Sequence, residues 1–386
     1  MRWVVYLDMD AFYVSCELKR HPELHGKVVA VSADPKGGKG RGVVLSASYE
    51  ARALGLRSAL PVSQAFALCP DYAWIPPDFP FYEENSREVM ALLRERSAEA
   101  RTFSIDEAAF RSEAPTPEAV EAEGRSLQRE VRSRFDLPCS IGIGPTLTIA
   151  KIASDRAKPG GVVVVPPDSV QAFLAPLPVR SIPGIGKVTE AALAASGIRT
   201  IGEMAGAPID RLRKALGGMA GAMHDLARGV VREEPWPEEE GPRSLGTMST
   251  FDVDTSRVDE VRGELLRLCL SLSESVTKQG RWYRTVTVRL RASDFQQLQR
   301  SRTLPQRTAS GELLARTATQ LLDQLVGELE GRTHERHGSL SEPGVVPPSP
   351  ARGWGVRTVG VSVSDLSEGS ASQKRLDAFG GGSAGS

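Results

Sequence analysis

One stretch of ten residues, numbered 233 to 242, decides how this chain can be divided into domains. It contains five glutamates and three prolines. Like charges repel each other and proline interrupts both helices and sheets, so such a stretch cannot form part of a hydrophobic core. The chain has 386 residues, and this length suits roughly two to three domains. We therefore predict an extended linker over residues 233–243, with separately folded parts on either side.

The part before the linker alternates between strand and helix patterns. Residues 3 to 7 are continuously apolar and rich in β-branched and aromatic side chains, as in a buried strand. Further strands are predicted over residues 28–32, 43–46, 101–110, 139–143 and 162–165, and helices over residues 49–54, 83–97, 117–135 and 146–157. This order, close to β-α-β-β-α-β, predicts an α+β fold. From residue 166 onward, short helices separated by glycine and proline predict a small all-helical domain.

The part after the linker combines long helices with strands. The pattern predicts helices over 258–279 and 311–329, strands over 285–290 and 356–363, and a polar insertion over 332–352. Residues from about 367 onward are rich in serine, glycine and alanine, and we expect them to be disordered.

The overall composition is that of a globular protein. Hydrophobic residues make up 40% and charged residues 25%, and the formal net charge is zero, which excludes a disordered, fibrous or uniformly basic chain. The four cysteines are far apart and form no CxxC pair, so we expect reduced thiols. No apolar run reaches the roughly 18 residues that span a membrane, and Asp8 interrupts the start of the chain. We expect a cytoplasmic protein with no membrane partner.

Three carboxylates lie at two places where strands are predicted. Asp8 follows the first strand, and Asp106 and Glu107 are adjacent in a later one. Carboxylate oxygens suit Mg²⁺, and two such ions can activate an attacking oxygen and stabilise a leaving one in phosphoryl transfer. Taken alone, acidic residues at strand ends are more often solvated loop residues. Asp10 lies on the same strand face as Asp8, because side chains alternate with period two.

Four segments give these carboxylates a context. In chain order they are Tyr6-Leu7-Asp8-Met9-Asp10-Ala11-Phe12-Tyr13, then Ser46 to Arg52, then Ser104-Ile105-Asp106-Glu107-Ala108, then Ile149 to Gly161. Together they resemble the Y-family DNA polymerases, the translesion enzymes, and most closely the DNA polymerase IV branch. The resemblance implies a right-hand polymerase with a palm, small fingers, a helical thumb and a C-terminal little-finger domain. It also implies template-directed, low-fidelity addition of deoxynucleotides to a primer 3′-hydroxyl by two-metal phosphoryl transfer, in translesion synthesis and DNA damage tolerance.

The resemblance further implies domain limits and partners. The expected domains are a palm over 1–18 and 78–165, fingers over 19–77, a thumb over 166–232, the linker over 233–243, a little finger over 244–367 and a flexible tail over 368–386. The expected partners are primer-template DNA and deoxynucleoside triphosphates, and we expect a monomer.

Residue roles in the catalytic site follow from the same resemblance. Asp8, Asp106 and Glu107 would be catalytic and would hold two Mg²⁺ ions with the Met9 carbonyl, while Asp10 would have a supporting role. Tyr13 occupies the steric-gate position, where its ring would collide with a ribose 2′-hydroxyl, and Phe12 lies beside it. Triphosphate contacts are implied for Tyr49, Arg52 and Lys158, whose side chains can donate to phosphate oxygens.

Three further features indicate binding to DNA or to its accessory proteins. Residues 181–187 match a helix-hairpin-helix, in which Gly184, Gly186 and Lys187 would approach DNA phosphates. Residues 281–307 contain seven arginines and one acid, a local charge of +6, which predicts DNA contacts from Arg284, Arg289 and Arg291. Gln373, Leu376 and Phe379 lie in the tail and resemble a sliding-clamp-binding peptide.

The chain departs from the family pattern at residues 146–147, at Ala11 and in the 332–352 insertion, and two alternative functions remain. Thr146-Leu147 stands where the family commonly has Asn-Lys, so the DNA contact of that lysine is in doubt. A non-catalytic DNA- or clamp-binding adaptor is disfavoured because all three carboxylates are retained. A metal-dependent nuclease is disfavoured because it would have no use for the triphosphate contacts Tyr49, Arg52 and Lys158.

Overall fold

The chain forms two compact units, Met1–Glu239 and Glu240–Ser386, which we call the first and the second unit. The structure is a computed structural model that describes residues 2–232, 236, 241–338 and 354–368. In chain order the first unit contains β1 (Trp3–Met9), α1 (Phe12–Arg20), β2 (Val29–Ser32), β3 (Val44–Ala47), α2 (Tyr49–Ala53), α3 (Val62–Leu68), β4 (Ala73–Ile75), α4 (Phe79–Arg96), β5 (Arg101–Thr102), β6 (Glu107–Ser112), α5 (Pro117–Phe135), β7 (Cys139–Gly144), α6 (Leu147–Ala157), β8 (Val162–Val164), α7 (Val170–Leu174), α8 (Lys187–Ala195), α9 (Ile201–Gly206), α10 (Ile209–Leu216) and α11 (Ala220–Ala227).

A five-stranded sheet of order β5-β6-β1-β7-β8 is the centre of the first unit. Every residue of β1 is buried, as predicted for a central apolar strand. Two helices cover the opposite faces of this sheet. Helix α5 packs on the face that carries Ile141 and Ile143, and α6 packs on the face that carries Gly142. A side chain at Gly142 would lie 2.0 Å from the Ala150 carbonyl oxygen, so the absence of one lets α6 lie directly against the sheet.

The segment predicted as one strand over 101–110 is in fact a hairpin. Strands β5 and β6 are antiparallel neighbours, and the amide of Phe103 donates to the Glu107 carbonyl at 2.9 Å. The Ser104 hydroxyl accepts from the Asp106 amide at 3.3 Å and donates to the Asp106 carboxylate at 2.5 Å. Such local side-chain hydrogen bonds close a turn. Asp106 therefore ends the turn, and Glu107 begins β6.

A second sheet lies within residues 29–75. It has three strands in the order β3-β2-β4 and its own small core, formed with residues of α2 and α3. Ser48 connects this sheet to α2. Its hydroxyl caps the helix by accepting from the Ala51 amide at 3.2 Å, and it also accepts from the Val29 amide of β2 at 3.2 Å. The start of α2 is thus fixed relative to the strands.

Helices α7 to α11 confirm the prediction of helices after residue 166. Their apolar residues share one core with Ile149 and Ile152 of α6. Thr146, from the pair that departs from the family pattern, caps α6 by accepting from the Ile149 amide at 3.3 Å. From the predicted linker, Trp236 packs on the first unit near Leu147. Its indole N–H donates to the Glu99 carbonyl at 2.8 Å.

The second unit is a five-stranded sheet covered on one face by two long helices. Its elements are β9 (Ser244–Thr255), α12 (Val258–Lys278), β10 (Arg281–Ala292), β11 (Gln297–Thr308), α13 (Gly311–Gly338), β12 (Val356–Ser364) and β13 (Ser367–Glu368). The sheet order is β11-β10-β12-β9, with β13 paired to β10. Alternate residues of β10, such as Val286 and Val288, join α12 and α13 in the core.

Helix α13 continues to Gly338 and so enters the segment predicted as a polar insertion. A helix that is already nucleated can be extended by polar residues. The apolar spacing stops at Leu329, so the helix predicted from it is shorter than the helix in the structure. Residues 339–353 lie outside the described part of the chain.

All four cysteines are free, as predicted. Within the described ranges, every helix is too short or too polar to cross a membrane.

Candidate active site

Strand pairing brings the three predicted catalytic carboxylates together. Asp8 lies near the end of β1, and its cross-strand partners are Glu107 on β6 and Ser140 on β7. The Met9 amide donates to the Asp106 carbonyl at 2.9 Å. Cross-strand partners have side chains on the same face, so Asp8 and Glu107 lie side by side, with Asp106 at the adjacent turn. Asp8 is 4% exposed.

Two lysines from α6 and the residue after it neutralise two of these carboxylates. The Lys158 ammonium donates to Asp8 Oδ2 at 2.6 Å and to Asp155 Oδ1 at 3.1 Å. The Lys151 ammonium donates to Glu107 Oε1 at 2.5 Å and to the Tyr6 hydroxyl at 3.1 Å. Residues seven apart on a helix lie within about 20° of the same direction, so both ammonium groups face the sheet.

The electrostatics of the site depend on burial and on these pairs. Burial raises the pKa of Asp8 to about 7, with Lys158 opposing the shift and the charges of Glu107 and Asp106 adding to it. Burial also acts against ionisation of Glu107, but the hydrogen bond and charge of Lys151 outweigh it, so the pKa of Glu107 is lowered. For Lys158, burial would lower the pKa, yet the neighbouring Asp8 and Asp155 raise it. Lys158 thus compensates Asp8 and Asp155, and Lys151 compensates Glu107.

The donor set fits a divalent cation, although the side chains are arranged around protein partners. Among the residues that the structure describes, no three acidic, histidine or cysteine side chains are placed to hold one ion. Asp8, Glu107 and Asp106 contact Lys158, Lys151 and Ser104 respectively. Ionised carboxylates offer only acceptor oxygens, which hard divalent ions prefer. Asp8, Asp106 and Glu107 would hold such a cation, and in its absence Lys158 and Lys151 supply the compensating charge for Asp8 and Glu107.

A cavity of about 280 Å³ opens beside the carboxylates and contains most of the predicted site. Its lining includes seven of the predicted residues: Asp8, Met9, Phe12, Tyr13, Arg52, Asp106 and Lys158. Glu107 and Tyr49 do not line it. The structure therefore brings the metal, sugar and phosphate candidates to one cavity, with Glu107 next to it on the sheet.

Aromatic rings support Tyr13 from behind. The chain turns out of β1 at Ala11, whose φ of 45° is left-handed, and α1 begins at Phe12. The Tyr13 ring stacks on Tyr82 with centroids 4.7 Å apart and meets Phe79 edge-on at 6.1 Å. The Tyr82 hydroxyl in turn donates to buried Glu17 at 2.6 Å. Tyr13 therefore rests on a ring that is itself held by a hydrogen bond.

Arg52 and Tyr49 are stacked on each other but face different sites. The Arg52 guanidinium lies 4.8 Å from the centre of the Tyr49 ring, and its Nε donates to the Ala47 carbonyl at 3.0 Å. The Tyr49 hydroxyl donates to Asp10 Oδ1 at 3.0 Å. Burial, together with the charge of Asp10, raises the pKa of Tyr49. The hydroxyl hydrogen expected at a triphosphate oxygen is thus used within the protein.

Sequence reasoning missed Lys151. It lies within the quoted segment from Ile149 to Gly161, but an isolated lysine on a helix is usually solvated. The signal that was present is its spacing of seven from Lys158, which places both side chains on one helix face.

The predicted hairpin at 181–187 has the backbone expected for close approach of an anion. Gly184 has a φ of 91°, a conformation that favours glycine. Gly186 precedes α8, has an ordinary φ of −89°, and would accommodate a side chain without any contact inside 4 Å. Nothing within the described protein therefore requires a glycine at 186. The first turn of α8, which starts at exposed Lys187, has no side-chain cap.

The arginines of the second unit are divided between the two faces of its sheet. Exposed Arg289 and Arg291 lie on the face opposite the helices, which we call the arginine face. Arg300 and Arg302 are the partners of Val288 and Val286, so they lie on the helix face. There they contact Glu328 and Gln320 of α13. Exposed Arg284 donates to the Leu304 carbonyl at 3.1 Å. The predicted tail residues Gln373, Leu376 and Phe379 lie outside the described residues.

Comparisons with known proteins agree with this architecture. The description "impB/mucB/samB family" matches residues 7–155, its C-terminal domain matches 242–376, and an IMS family HHH motif matches 167–198. A DNA polymerase IV of Methanoculleus marisnigri is 43% identical, with 83% of this chain and 89% of the relative covered. A DNA polymerase IV of Xanthomonas axonopodis pv. citri is 38% identical, with 87% and 92% covered.

Solved structures agree as well. A Y-family DNA polymerase chimera of Dbh and Dpo4 is 25% identical with a TM-score of 0.80, covering 94% of this chain and 99% of the other. DinB from Sulfolobus solfataricus is 25% identical with a TM-score of 0.59, covering 94% and 98%. The fold is thus that of a right-hand polymerase, and the relatives show that the chain is a DNA-directed DNA polymerase. Within that class, the chain belongs to the Y family of translesion enzymes, in the DNA polymerase IV branch.

Proposed function

We propose that this translesion polymerase uses Asp8, Asp106 and Glu107 as its catalytic carboxylates and holds two Mg²⁺ ions between them. The observation that carries the proposal is the placement of these side chains on neighbouring strands, beside a cavity that also contains Tyr13, Arg52 and Lys158. Family membership implies dependence on divalent metal ions. The identity of the ions as Mg²⁺ rests on the oxygen-only donor set, and their number rests on the two-metal mechanism that the family resemblance implies.

Each residue has a separate task in nucleotide transfer. Asp8, Asp106 and the Met9 carbonyl would hold the metal of the incoming nucleotide, and Glu107 would complete the site near the primer end. When bound, the metal ions supply charge stabilisation to the attacking 3′-hydroxyl and the leaving pyrophosphate. Lys158, released from Asp8 as cations enter, would donate to the triphosphate.

The sugar and the phosphates would be contacted from the opposite side of the cavity. Tyr13, supported by the Tyr82 ring, would exclude a ribose 2′-hydroxyl, and buried Phe12 would pack beside it. Among the described residues, the hydrogen bond of the Arg52 guanidinium is made by its Nε, so its two terminal nitrogens would be free to donate to phosphate oxygens. Tyr49 would act through its stacking on Arg52 rather than through its hydroxyl.

Primer-template DNA would be bound by two surfaces that do not depend on base sequence. At the hairpin, the uncapped amides of α8 and the free space at Gly186 support contact with a backbone phosphate, joined by Gly184 and Lys187. On the second unit, Arg284, Arg289 and Arg291 are exposed and support contact with the duplex backbone. The predicted palm, fingers, thumb and little-finger limits are retained in this proposal, as is a monomer.

The catalytic assignment is tested by extension of a labelled primer in the presence of Mg²⁺ and deoxynucleotides. The wild type extends the primer, and Asp106→Ala lowers extension by at least about a thousandfold. Asp210→Ala, an exposed aspartate on α10, is the matched control and keeps full activity. Equal extension by wild type and Asp106→Ala would overturn the assignment of Asp106. Release of mononucleotides without added triphosphates would favour the nuclease.

We also propose that Gln373, Leu376 and Phe379 bind a sliding clamp. The support is their sequence alone, a glutamine followed by a leucine three residues on and by a terminal aromatic. Replacing all three by alanine should abolish the stimulation of extension by a clamp and leave extension without a clamp unchanged. Unchanged stimulation would overturn this assignment.

A further inference from the structure

Asp10 is a buried carboxylate held by neutral donors from three distant parts of the chain. It is 1% exposed. Its Oδ1 accepts from the Tyr49 hydroxyl at 3.0 Å, and its Oδ2 accepts from the Gly160 amide at 2.8 Å. The Ser140 hydroxyl lies 2.9 Å and 3.0 Å from the two oxygens. Within the described residues, no lysine or arginine forms an ion pair with it.

Such an arrangement fixes the groups that take part in it. Burying a charged group costs roughly several kcal/mol unless donors in the protein replace the hydrogen bonds that the group makes with water. Here the full set of donors is needed to meet it, so each donor is confined to one position. A fully satisfied buried network makes its members rigid and their positions specific.

The donors belong to both sides of the region assigned to the triphosphate. Tyr49 lies on α2, the short helix that also carries Arg52, and the two side chains are stacked. Gly160 follows Lys158 by two residues. Ser140 is the cross-strand partner of Asp8. One carboxylate therefore connects the helix of Arg52, the segment of Lys158 and the strand beside Asp8.

We propose that Asp10 is a positioning residue for the incoming nucleotide, which sets the distance between Arg52 and Lys158 through Tyr49 and Gly160. This inference rests on the proposed function, because it takes Arg52 and Lys158 as triphosphate contacts. Tyr49 has a single hydroxyl hydrogen and donates it to Asp10, so the contribution of this hydroxyl to nucleotide binding, apart from the stacking of the ring on Arg52, passes through Asp10. The effects of Asp10 and Tyr49 substitutions on nucleotide binding are therefore shared.

The test is the steady-state kinetics of primer extension by the full chain with Mg²⁺, with a deoxynucleoside triphosphate as the varied substrate. Asp10→Asn should raise KM for the nucleotide about tenfold, the typical worth of a charged hydrogen bond. The kcat and the dissociation constant for primer-template DNA should stay within about twofold. Tyr49→Phe should raise KM less, and the double variant should resemble Asp10→Asn alone.

Ser140→Ala provides a second variant in case Asp10→Asn fails to fold, and Ser112→Ala is its matched control. Both serines are buried on strands of the same sheet and donate to a carboxylate, Ser112 to Glu123. Ser140→Ala should raise the nucleotide KM severalfold, and Ser112→Ala should leave it unchanged. A lowered kcat with unchanged KM, additive effects of Asp10 and Tyr49, or equal effects of the two serines would overturn the proposal. A wild type that does not extend a primer would instead overturn the proposed function.

Discussion

The carboxylate site of the first unit and the arginine face of the second unit manage charge in opposite ways. In the site, Asp8 and Glu107 are each paired with a lysine at hydrogen-bonding distance. On the arginine face, Arg289 donates to the neutral Gln299 at 3.2 Å, and among the described residues no carboxylate forms an ion pair with Arg289 or Arg291. One region compensates its charges internally, and the other leaves them to the solvent.

This difference indicates which charged partner each region can exchange when it binds a metal ion or DNA. A carboxylate that already has a cationic partner can accept a metal ion by giving up that partner, so little uncompensated charge is exposed before or after. Unpaired arginines attract a polyanion over a distance and release its counterions on contact. Arg300 and Arg302 are not among these unpaired arginines, because they face α13 and contact its side chains. The local charge of +6 therefore overstates the charge available to DNA.

The largest expected effect would break the comparison on the side of the arginine face. Changing Arg289 and Arg291 of the arginine face, together with the exposed Arg284 of the same strand, to glutamine should weaken DNA binding about a hundredfold at low salt. The slope of log affinity against log salt concentration should fall by about 3, because each contact contributes roughly one counterion. Fluorescence anisotropy over a series of salt concentrations measures both quantities.

The control for this experiment is the pair on the other face of the same sheet. Arg300→Gln with Arg302→Gln removes similar charge from the same region but should change the slope by less than about 1. An equal change per arginine in both sets would show that the face on which an arginine lies does not matter, and the comparison would fail.

A second experiment sharpens the comparison on the side of the site. Lys151→Met removes the cation that occupies Glu107, so Mg²⁺ should bind about tenfold more tightly to the free enzyme. The shift of the melting temperature with Mg²⁺ concentration reports this affinity. Lys214→Met, an exposed lysine on α10, should leave it unchanged. Unchanged or weaker Mg²⁺ binding by Lys151→Met would contradict the idea that this lysine competes with metal.

The smallest expected effect concerns a surface ion pair on α12 that is assigned no role in binding metal or DNA. Glu264 and Arg267 are neighbours on α12, and the Arg267 guanidinium donates a hydrogen bond to the Glu264 carboxylate. This hydrogen bond is the main reason why the pKa of Glu264 is lowered to about 2. A lowered pKa in the folded state stabilises the protein above pH 4.5 and loses this effect as the pH falls towards 2. Arg267 is 62% exposed, so Arg267→Gln should cost at most about 1 kcal/mol at pH 7.

Urea denaturation at pH 7, 5 and 3 tests this expectation. The difference in free energy of unfolding between wild type and Arg267→Gln should shrink as the pH decreases. A difference that stays constant over this range would mean that the ionisation of Glu264 makes no contribution. Glu274→Gln, on the same helix without a partner among the described residues, should show no such trend.

The sequence predicted those parts of the molecule that depend on local pattern. The buried strand over residues 3–7 and the helix Pro117–Phe135 follow from apolar runs and periodicity, and the structure confirms both, with the strand continuing to Met9. The turn before Glu107 was missed because it is closed by the Ser104 side chain. Alternation of apolar and polar residues carries no information about such a bond.

Sequence motifs selected side chains that the fold brings together, but they did not predict the contacts of those side chains. Family motifs selected Asp8, Asp106 and Lys158, all of which line one cavity. They did not reveal Lys151 opposite Glu107, because that contact depends on which sheet face α6 covers. The contacts of Asp10 with Ser140 and Gly160 join residues 130 and 150 positions apart. Only tertiary packing can specify such pairs.

Gly142 has no functional group, yet the chemistry of the site depends on it. A methyl group there would lie 2.0 Å from the Ala150 carbonyl oxygen and 2.1 Å from the Ser154 amide nitrogen, so α6 would have to move away from the sheet. Lys151 belongs to α6 and Lys158 follows it directly, so both ammonium groups would leave their carboxylates together. A mutational scan scored by activity would therefore rank Gly142 with Asp8, Asp106 and Glu107. Gly142 has no side chain that could take part in the reaction, and its effect comes entirely from the position that it allows α6 to take.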